Sequence, residues 1–197
     1  MCLLIYTSYI KLYYWQRGVY LTKVAEFKLN KFNSFFINLI ALLIFILGFG
    51  IILPIIGKDK WLIYIESAIY NGQILGLFTT LLGVVVFHEL LHGLAYIIFG
   101  AKLKFGIKYL NIYTMDISGT FYTPFQMAVI LLLPFFVLTG LLLLAGILFP
   151  DLVYWMVIGM LYNVSGSFGD IFMLCFILYM GKNCKIKDEE YGFGVYT

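Results

Sequence analysis

The stretch GVVVFHELLHGLAYIIFG, residues 83–100, has the apolar character of a membrane helix but contains two histidines and a glutamate. The rest of the chain is similarly apolar, since 63% of its 197 residues are hydrophobic, 12% are charged and the mean hydropathy is +0.99. So little polar surface predicts an integral membrane protein and excludes an ordinary water-soluble globule. No basic face interleaved with aromatic residues is present, which argues against nucleic acid as a partner and leaves the lipid bilayer.

Four stretches are long enough to cross a bilayer as helices, which takes about 20 apolar residues. They cover residues 34–56, 69–99, 126–149 and 152–180, and each ends near a proline or glycine. Pro134 lies inside the third stretch and predicts a kink there. The predicted fold class is therefore an all-α integral membrane protein with about four transmembrane helices.

The distribution of lysine and arginine predicts the orientation of these helices. Five basic residues precede the first span, two lie in loop 57–68, three lie in loop 100–125 and three follow residue 180, so one side carries eleven and the other two. The positive-inside rule then places both termini and loop 100–125 in the cytoplasm. We expect a multi-pass protein of the cell membrane.

Two segments outside the spans have patterns of their own. Residues 1–33 are rich in aromatic and basic side chains, which is typical of an interfacial amino-terminal segment at the lipid headgroups. In the loop AKLKFGIKYLNIY, apolar residues from Leu103 to Tyr109 alternate with Lys102, Lys104, Gly106 and Lys108. This two-residue period predicts a short cytoplasmic β-element between the second and third spans.

The two histidines of the opening stretch, His88 and His92, are the only ones in the chain and lie four residues apart. On a helix they project from one face about one turn apart, close enough to bind a single metal ion. With Glu89 they form HExxH, in which two imidazoles bind Zn²⁺ and the glutamate takes a proton from the zinc-bound water. The alternative is a hydrogen-bonded polar cluster that packs helices together, but charged groups inside a membrane are functional by default.

A catalytic zinc site normally has three protein ligands, so one more is needed. Glu66 falls on the wrong side of the membrane, and Asp116 could reach only if its loop folds deeply inward. Asp170 lies 11 residues before the end of the fourth span, about 16 Å, and the histidines lie about 12–18 Å from the same side. The common depth predicts Asp170 as the third ligand; its alternative role is to orient a histidine N–H.

Asn163 and Ser167 share a helical face with Asp170, at positions i, i+4 and i+7. Asn163 could bind the backbone of a substrate or stabilise an oxyanion. An interhelical hydrogen bond is the alternative, since polar residues commonly join membrane helices.

HELLHG on one span, KFGIKY in the following loop and NVSGSFGD on a later span resemble an uncharacterised family of membrane zincin peptidases, similar in plan to the site-2 proteases. The likeness covers about residues 85–175. It implies ligand roles for His88, His92 and Asp170 and acid/base work for Glu89. In site-2 proteases the aspartate is typically followed by glycine, whereas Ile171 follows Asp170 here, and the asparagine lies seven residues upstream.

The resulting expectation is a zinc-dependent intramembrane metallopeptidase that hydrolyses a peptide bond in a membrane-associated or transmembrane substrate. Residues 1–197 would form a single membrane-embedded domain with its core at 69–180. Zinc would activate its bound water, and Glu89 would accept the proton and return it to the leaving amine. The rivals are a non-catalytic zinc-binding membrane scaffold and a metal-dependent transport component, although transport needs further polar residues along a complete path.

Overall fold

A computed structural model describes residues 13–16, 19–70, 74–109 and 111–197. The fold is mostly helical, with two sheets at one end. The helices are α1 (Lys31–Ile56), α2 (Lys58–Tyr70), α3 (Ile74–Ile98), α4 (Pro124–Leu148), α5 (Val153–Gly166) and α6 (Phe168–Met180). The strands are β1 (Tyr13–Gln16), β2 (Val19–Lys28), β3 (Leu103–Lys108), β4 (Asn111–Asp116), β5 (Phe121–Tyr122), β6 (Lys185–Glu189) and β7 (Gly192–Tyr196).

Four helical stretches are long and apolar enough to cross a membrane, as predicted: α1, α3, α4 and the stretch Pro150–Met180. In α1, no residue of the most apolar 18-residue stretch is buried inside the protein. A helix of a water-soluble protein would bury such an apolar face, so this exposure suits a lipid environment.

The sequence-based boundaries need two corrections. Residues 58–70, predicted largely as a loop, form α2. The Trp61 side chain anchors this helix, since it is 1% exposed and packs edge-on against Phe49 and Tyr154. The fourth span is not continuous: α5 ends at Gly166 and α6 begins at Phe168, with Ser167 between them. The Ser167 hydroxyl donates to the carbonyl of Asn163 at 2.8 Å, which satisfies a backbone acceptor next to the break.

The β-element predicted from the alternating loop is present as an antiparallel hairpin of β3 and β4. The prediction of an all-α protein is nevertheless wrong, because β1, β2, β7, β6 and β5 form a second, five-stranded sheet in that order. Part of the amino-terminal segment is therefore strand, namely β1 and β2; residues 1–12, 17 and 18 lie outside the described residues. Its predicted position at the lipid headgroups stays a prediction.

The five-stranded sheet joins segments that are far apart in the chain. Strand β2 precedes α1, β5 lies between α3 and α4, and β6 and β7 follow α6. The three segments that carry nine of the eleven basic residues in the described part of the chain thus lie on one side of the helical bundle. The assignment of that side to the cytoplasm stays a prediction.

The hydrophobic core lies where the sheet meets the helix ends. Side chains of α3, α4 and α6, including Tyr96, Ile130 and Ile177, pack in one buried cluster with Phe27 and Val195 of the sheet. Burial of this apolar surface fixes the helices relative to one another at that end of the bundle.

Candidate metal centre

Three polar side chains from two helices converge between α3 and α6. The Nε2 atoms of His88 and His92 on α3 lie 3.2 Å apart, and the Oδ2 atom of Asp170 on α6 lies 3.1 Å from the first and 3.4 Å from the second. Two of these residues are buried, with exposures of 7% for His92 and 9% for Asp170. The packing of α6 against α3 therefore brings Asp170 to both histidines.

The spacing of these three atoms fits a tetrahedral zinc ion. With bonds of about 2.0–2.2 Å, two ligands of a tetrahedral zinc lie about 3.3–3.6 Å apart. The three separations of 3.1, 3.2 and 3.4 Å are close to this value. His88, His92 and Asp170 would therefore suffice to hold a zinc ion with three protein ligands.

The charge of this region also suits a divalent cation. Glu89 is next to His88, and the three residues of the HExxH motif offer ligand atoms within 4.8 Å of one another. No lysine or arginine occurs on α3, α4, α5 or α6, so Glu89 and Asp170 have no basic side chain of these helices to neutralise them. A buried Asp170 beside a half-buried Glu89 is costly without a counter-ion, and a bound dication removes that cost.

The Nδ1 atom of His88, the ring nitrogen that does not face Asp170, is held by Asn163. It lies 2.9 Å from Asn163 Oδ1, and the Asn163 amide nitrogen donates to the Pro134 carbonyl and to Thr139 Oγ1. These two acceptors identify the Asn163 atom facing the histidine as the oxygen, so Nδ1 of His88 donates the hydrogen. The lone pair of its Nε2 is then free to point towards Asp170 and His92.

The Nδ1 atom of His92 is likewise held by a hydrogen bond, in this case to a backbone carbonyl. It lies 2.8 Å from the carbonyl oxygen of Ile130 on α4, and both residues are buried. A carbonyl oxygen only accepts hydrogen bonds, so Nδ1 donates, and in the neutral imidazole Nε2 then carries the lone pair. As neutral rings, both imidazoles therefore present their Nε2 atoms as acceptors beside the carboxylate of Asp170.

Glu89 is held from the hairpin rather than from a helix. Thr114 Oγ1 on β4 lies 2.8 Å from Glu89 Oε2 and 3.0 Å from the Glu89 carbonyl oxygen. A hydroxyl has one hydrogen to donate, and a carboxylate is the stronger acceptor. The hairpin thus limits the positions that the Glu89 side chain can take.

The hairpin is fixed against α3 and α1. A Cβ atom at Gly93, immediately after His92, would lie 3.1 Å from Leu103 and 3.3 Å from Phe105, so glycine permits the close approach of β3 to α3. At the hairpin tip, Ser34 at the start of α1 donates to the Tyr109 carbonyl at 3.2 Å. The hairpin therefore bridges α1 and α3 beside the histidines.

The other acidic candidates are not brought to the histidines. Asp116 is 2% exposed, but its carboxylate accepts hydrogen bonds from its own loop, including one from Tyr122 at 2.7 Å. Glu66 is exposed on α2. Among the acids considered from sequence, the structure places Asp170 with both histidines.

Some residues around the site were not found from sequence. Thr114 gave no signal, because a threonine on a strand is ordinary and only the folded hairpin brings it to Glu89. Pro134 predicts a kink in its helix, but its proximity to the histidines depends on how α4 packs against α3. Gly93 directly follows the HExxH motif and could have indicated the close approach of another segment.

A family comparison agrees with this arrangement. Residues 81–185, just over half of the chain, match the family described as "Putative zincin peptidase". The chain belongs to this family, which confirms the resemblance seen in the motifs and implies zinc as the metal. The matched range runs from α3 to the start of β6 and contains both histidines, Glu89, Asp170 and the residues that hold them through hydrogen bonds, namely Thr114, Ile130 and Asn163.

No curated protein matches the chain. No solved structure matches it either.

Proposed function

We propose that this protein is a zinc-dependent intramembrane metallopeptidase, similar in plan to the site-2 proteases, in which His88, His92 and Asp170 hold the metal. The observation that carries the proposal is the triangle of two Nε2 atoms and one carboxylate oxygen, with separations of 3.1–3.4 Å, between helices apolar enough to span a membrane. Zinc bound there would act as a Lewis acid, polarising the scissile carbonyl and lowering the pKa of water.

Glu89 is the general base and acid of this proposal. It lies beside the histidines, and the hydrogen bond from Thr114 holds one of its carboxylate oxygens. From this position Glu89 accepts a proton from the attacking water and then returns it to the leaving amine. A positioned acid/base of this kind contributes about 10²–10⁴-fold to the rate.

Asn163 has a more specific role in this proposal than a general contact with substrate. Its side-chain oxygen and nitrogen are engaged with His88, Pro134 and Thr139, and the residue is 1% exposed. We therefore favour Asn163 as the residue that orients His88. Its predicted part in binding substrate or an oxyanion stays a prediction.

The proposed substrate is a membrane-associated peptide or transmembrane protein that is extended around its cleaved bond, because helical amides are shielded by their own hydrogen bonds. Strand β3 has β4 as its one partner among the described residues, so its other edge can pair with such a segment. Ile107 on β3 is 74% exposed. We expect Ile107→Pro to reduce cleavage, and unchanged cleavage would contradict pairing at this strand.

The proposed location is the cell membrane, with both termini in the cytoplasm. The positive-inside distribution supports this orientation, and the sheet supports it by joining the three basic segments on one side. The metal centre would then lie in the cytoplasmic half of the bilayer.

Metal analysis and a cleavage assay on the purified full-length protein test the function. Glu89→Gln keeps the size of the side chain but removes its basicity, so we expect retained zinc and a loss of cleavage of about 10²–10⁴-fold. Glu66→Gln, an exposed glutamate on α2, is the matched control and should cleave normally. Equal cleavage by Glu89→Gln and the native protein would contradict the proposal, and zinc binding with no cleavage by either would favour the zinc-binding scaffold.

A further inference from the structure

Pro134 lies one helical turn after the residue of α4 that contacts His92. It lies within α4, four residues after Ile130, and both residues are buried. In a regular α-helix the N–H of residue 134 would donate to the carbonyl of residue 130. Proline has no backbone N–H, so the Ile130 carbonyl has lost its usual helical donor.

His92 supplies a hydrogen bond to this same carbonyl. Its Nδ1 lies 2.8 Å from the Ile130 oxygen, in a buried environment. An unsatisfied buried carbonyl would cost free energy, so the missing helical bond and the histidine N–H complement each other. The bond also fixes which nitrogen carries the hydrogen, and it leaves Nε2 facing His88 and Asp170.

We propose that Pro134 is a positioning residue for the metal centre: by withholding an N–H from Ile130, it reserves that carbonyl for His92 and holds the imidazole ready to bind zinc through Nε2. This inference rests on the zinc site of the proposed function, although not on peptide cleavage. A residue other than proline at position 134 would offer an N–H that competes with His92 for the same oxygen.

Zinc affinity, measured on the purified full-length protein by competition with a chelator, tests the proposal. Hydrogen-bond partners of metal-binding histidines typically contribute about 10–100-fold to metal affinity, so we expect Pro134→Ala to weaken zinc binding by that factor. Pro54→Ala is the matched control, because Pro54 also lies within a membrane helix but on α1, and it should leave the affinity unchanged.

A second variant separates the missing N–H from the shape of the proline ring. The α-hydroxy analogue of alanine, incorporated at position 134, places an ester oxygen where alanine has its N–H. We expect this analogue to bind zinc nearly as tightly as the native protein. Equal affinities for the alanine and α-hydroxy variants would overturn the proposal, as would native affinity in Pro134→Ala.

A measurement on the native protein covers the case in which Pro134→Ala does not fold. The chain has two histidines, so nitrogen-15 labelling of histidine gives a spectrum with few signals. We expect the zinc-loaded protein to carry hydrogen on Nδ1 of His92, and metal bound through that nitrogen would overturn the inference. Because zinc binding and the histidine spectrum do not require cleavage, an inactive protein would contradict the peptidase function and leave this test unaffected.

Discussion

Two buried polar clusters differ in how their charges are partnered. In the sheet, Lys23 contacts Glu26 at 2.7 Å and Glu189 at 2.6 Å, so a cation of the chain neutralises the acids. Burial opposes the charge of Lys23, yet hydrogen bonds to the two glutamates outweigh it and raise the pKa of the ammonium. This sheet cluster is complete with the residues that the chain supplies.

The cluster between α3 and α6 is arranged in the opposite way. Two imidazole nitrogens and a carboxylate oxygen face one another, and the helices around them contain no lysine or arginine. Donors and acceptors that match indicate a structural role, whereas acceptors that converge indicate a cation from outside the chain. The first two of the following predictions each change one cluster and use the other as a reference, and the last two concern contacts next to the clusters.

The largest expected effect is the loss of a zinc ligand. Structural zinc sites with four ligands are worth about 10–16 kcal/mol, so one ligand is worth about 2.5–4 kcal/mol. Asp170→Ala should therefore weaken zinc binding by about 10²–10³-fold in a chelator competition. Glu189→Ala, which removes a carboxylate of the sheet cluster, should keep the native affinity. Similar affinities for both variants would contradict the distinction between the clusters.

The second effect concerns the stability of the sheet. Lys23→Met leaves Glu26 and Glu189 without their cation, and removal of one partner of a buried ion pair costs about 3 kcal/mol. We expect a lower midpoint of thermal unfolding and unchanged zinc affinity. The control is Lys28→Met, because Lys28 is 59% exposed and lies 3.7 Å from Glu26, and such surface pairs contribute about 0–1 kcal/mol. Equal stability of the two variants would refute this interpretation of the sheet cluster.

A smaller effect is expected at the contact between the hairpin and Glu89. Thr114→Val removes the hydroxyl but keeps the shape, and a hydrogen bond to a charged group is worth about 1.5 kcal/mol, which corresponds to about 10-fold in rate. Thr114→Ser should cleave at nearly the native rate. In the control variant Thr79→Val, the lost hydroxyl is one that bonds carbonyls of its own helix. Equal rates for the valine and serine variants at position 114 would show that the hydroxyl is not needed.

The smallest effect, taken for each unit of pH, is a dependence of stability on pH. Burial, together with the nearby Asp116 carboxylate, raises the pKa of Asp188 from 3.8 to about 7. The folded protein then holds a proton that the unfolded chain releases, so stability is highest below about pH 4 and falls as pH rises towards 7, by at most about 1.4 kcal/mol per unit. Unfolding midpoints between pH 4 and 8 should show this fall, and Asp188→Asn should remove it. A midpoint that rises over this range in the native protein would contradict the assignment.

The sequence allowed the helical part of the fold to be predicted because length and hydropathy are local properties. The four spans and the hairpin followed from apolar runs and from one alternating loop. The five-stranded sheet could not be predicted in this way, since β2 pairs with β7 and their paired residues Lys23 and Tyr196 are 173 positions apart. Pairing of distant strands depends on packing that short patterns do not report.

The candidate site could be predicted from the sequence to a similar extent. HExxH lies within one helix, and Asp170 followed from depth because a membrane helix rises by a fixed length per residue. The partners that hold these side chains come from other segments: Thr114 from β4 and the Ile130 carbonyl from α4. Their contribution depends on tertiary contacts. From the sequence, Pro134 predicts a kink in the helix, but its position beside the hydrogen bond to His92 cannot be predicted.

X-ray absorption at the zinc edge tests the central claim most directly, since it reports the atoms bound to the metal in the purified protein. We predict two imidazole nitrogens at about 2.0–2.1 Å and oxygen ligands at about 2.0–2.2 Å. The imidazole contribution should fall when His92 is replaced by alanine. A protein that binds no zinc, a sulfur ligand at about 2.3 Å, or an imidazole contribution unchanged in His92→Ala would contradict a zinc site formed by His88, His92 and Asp170.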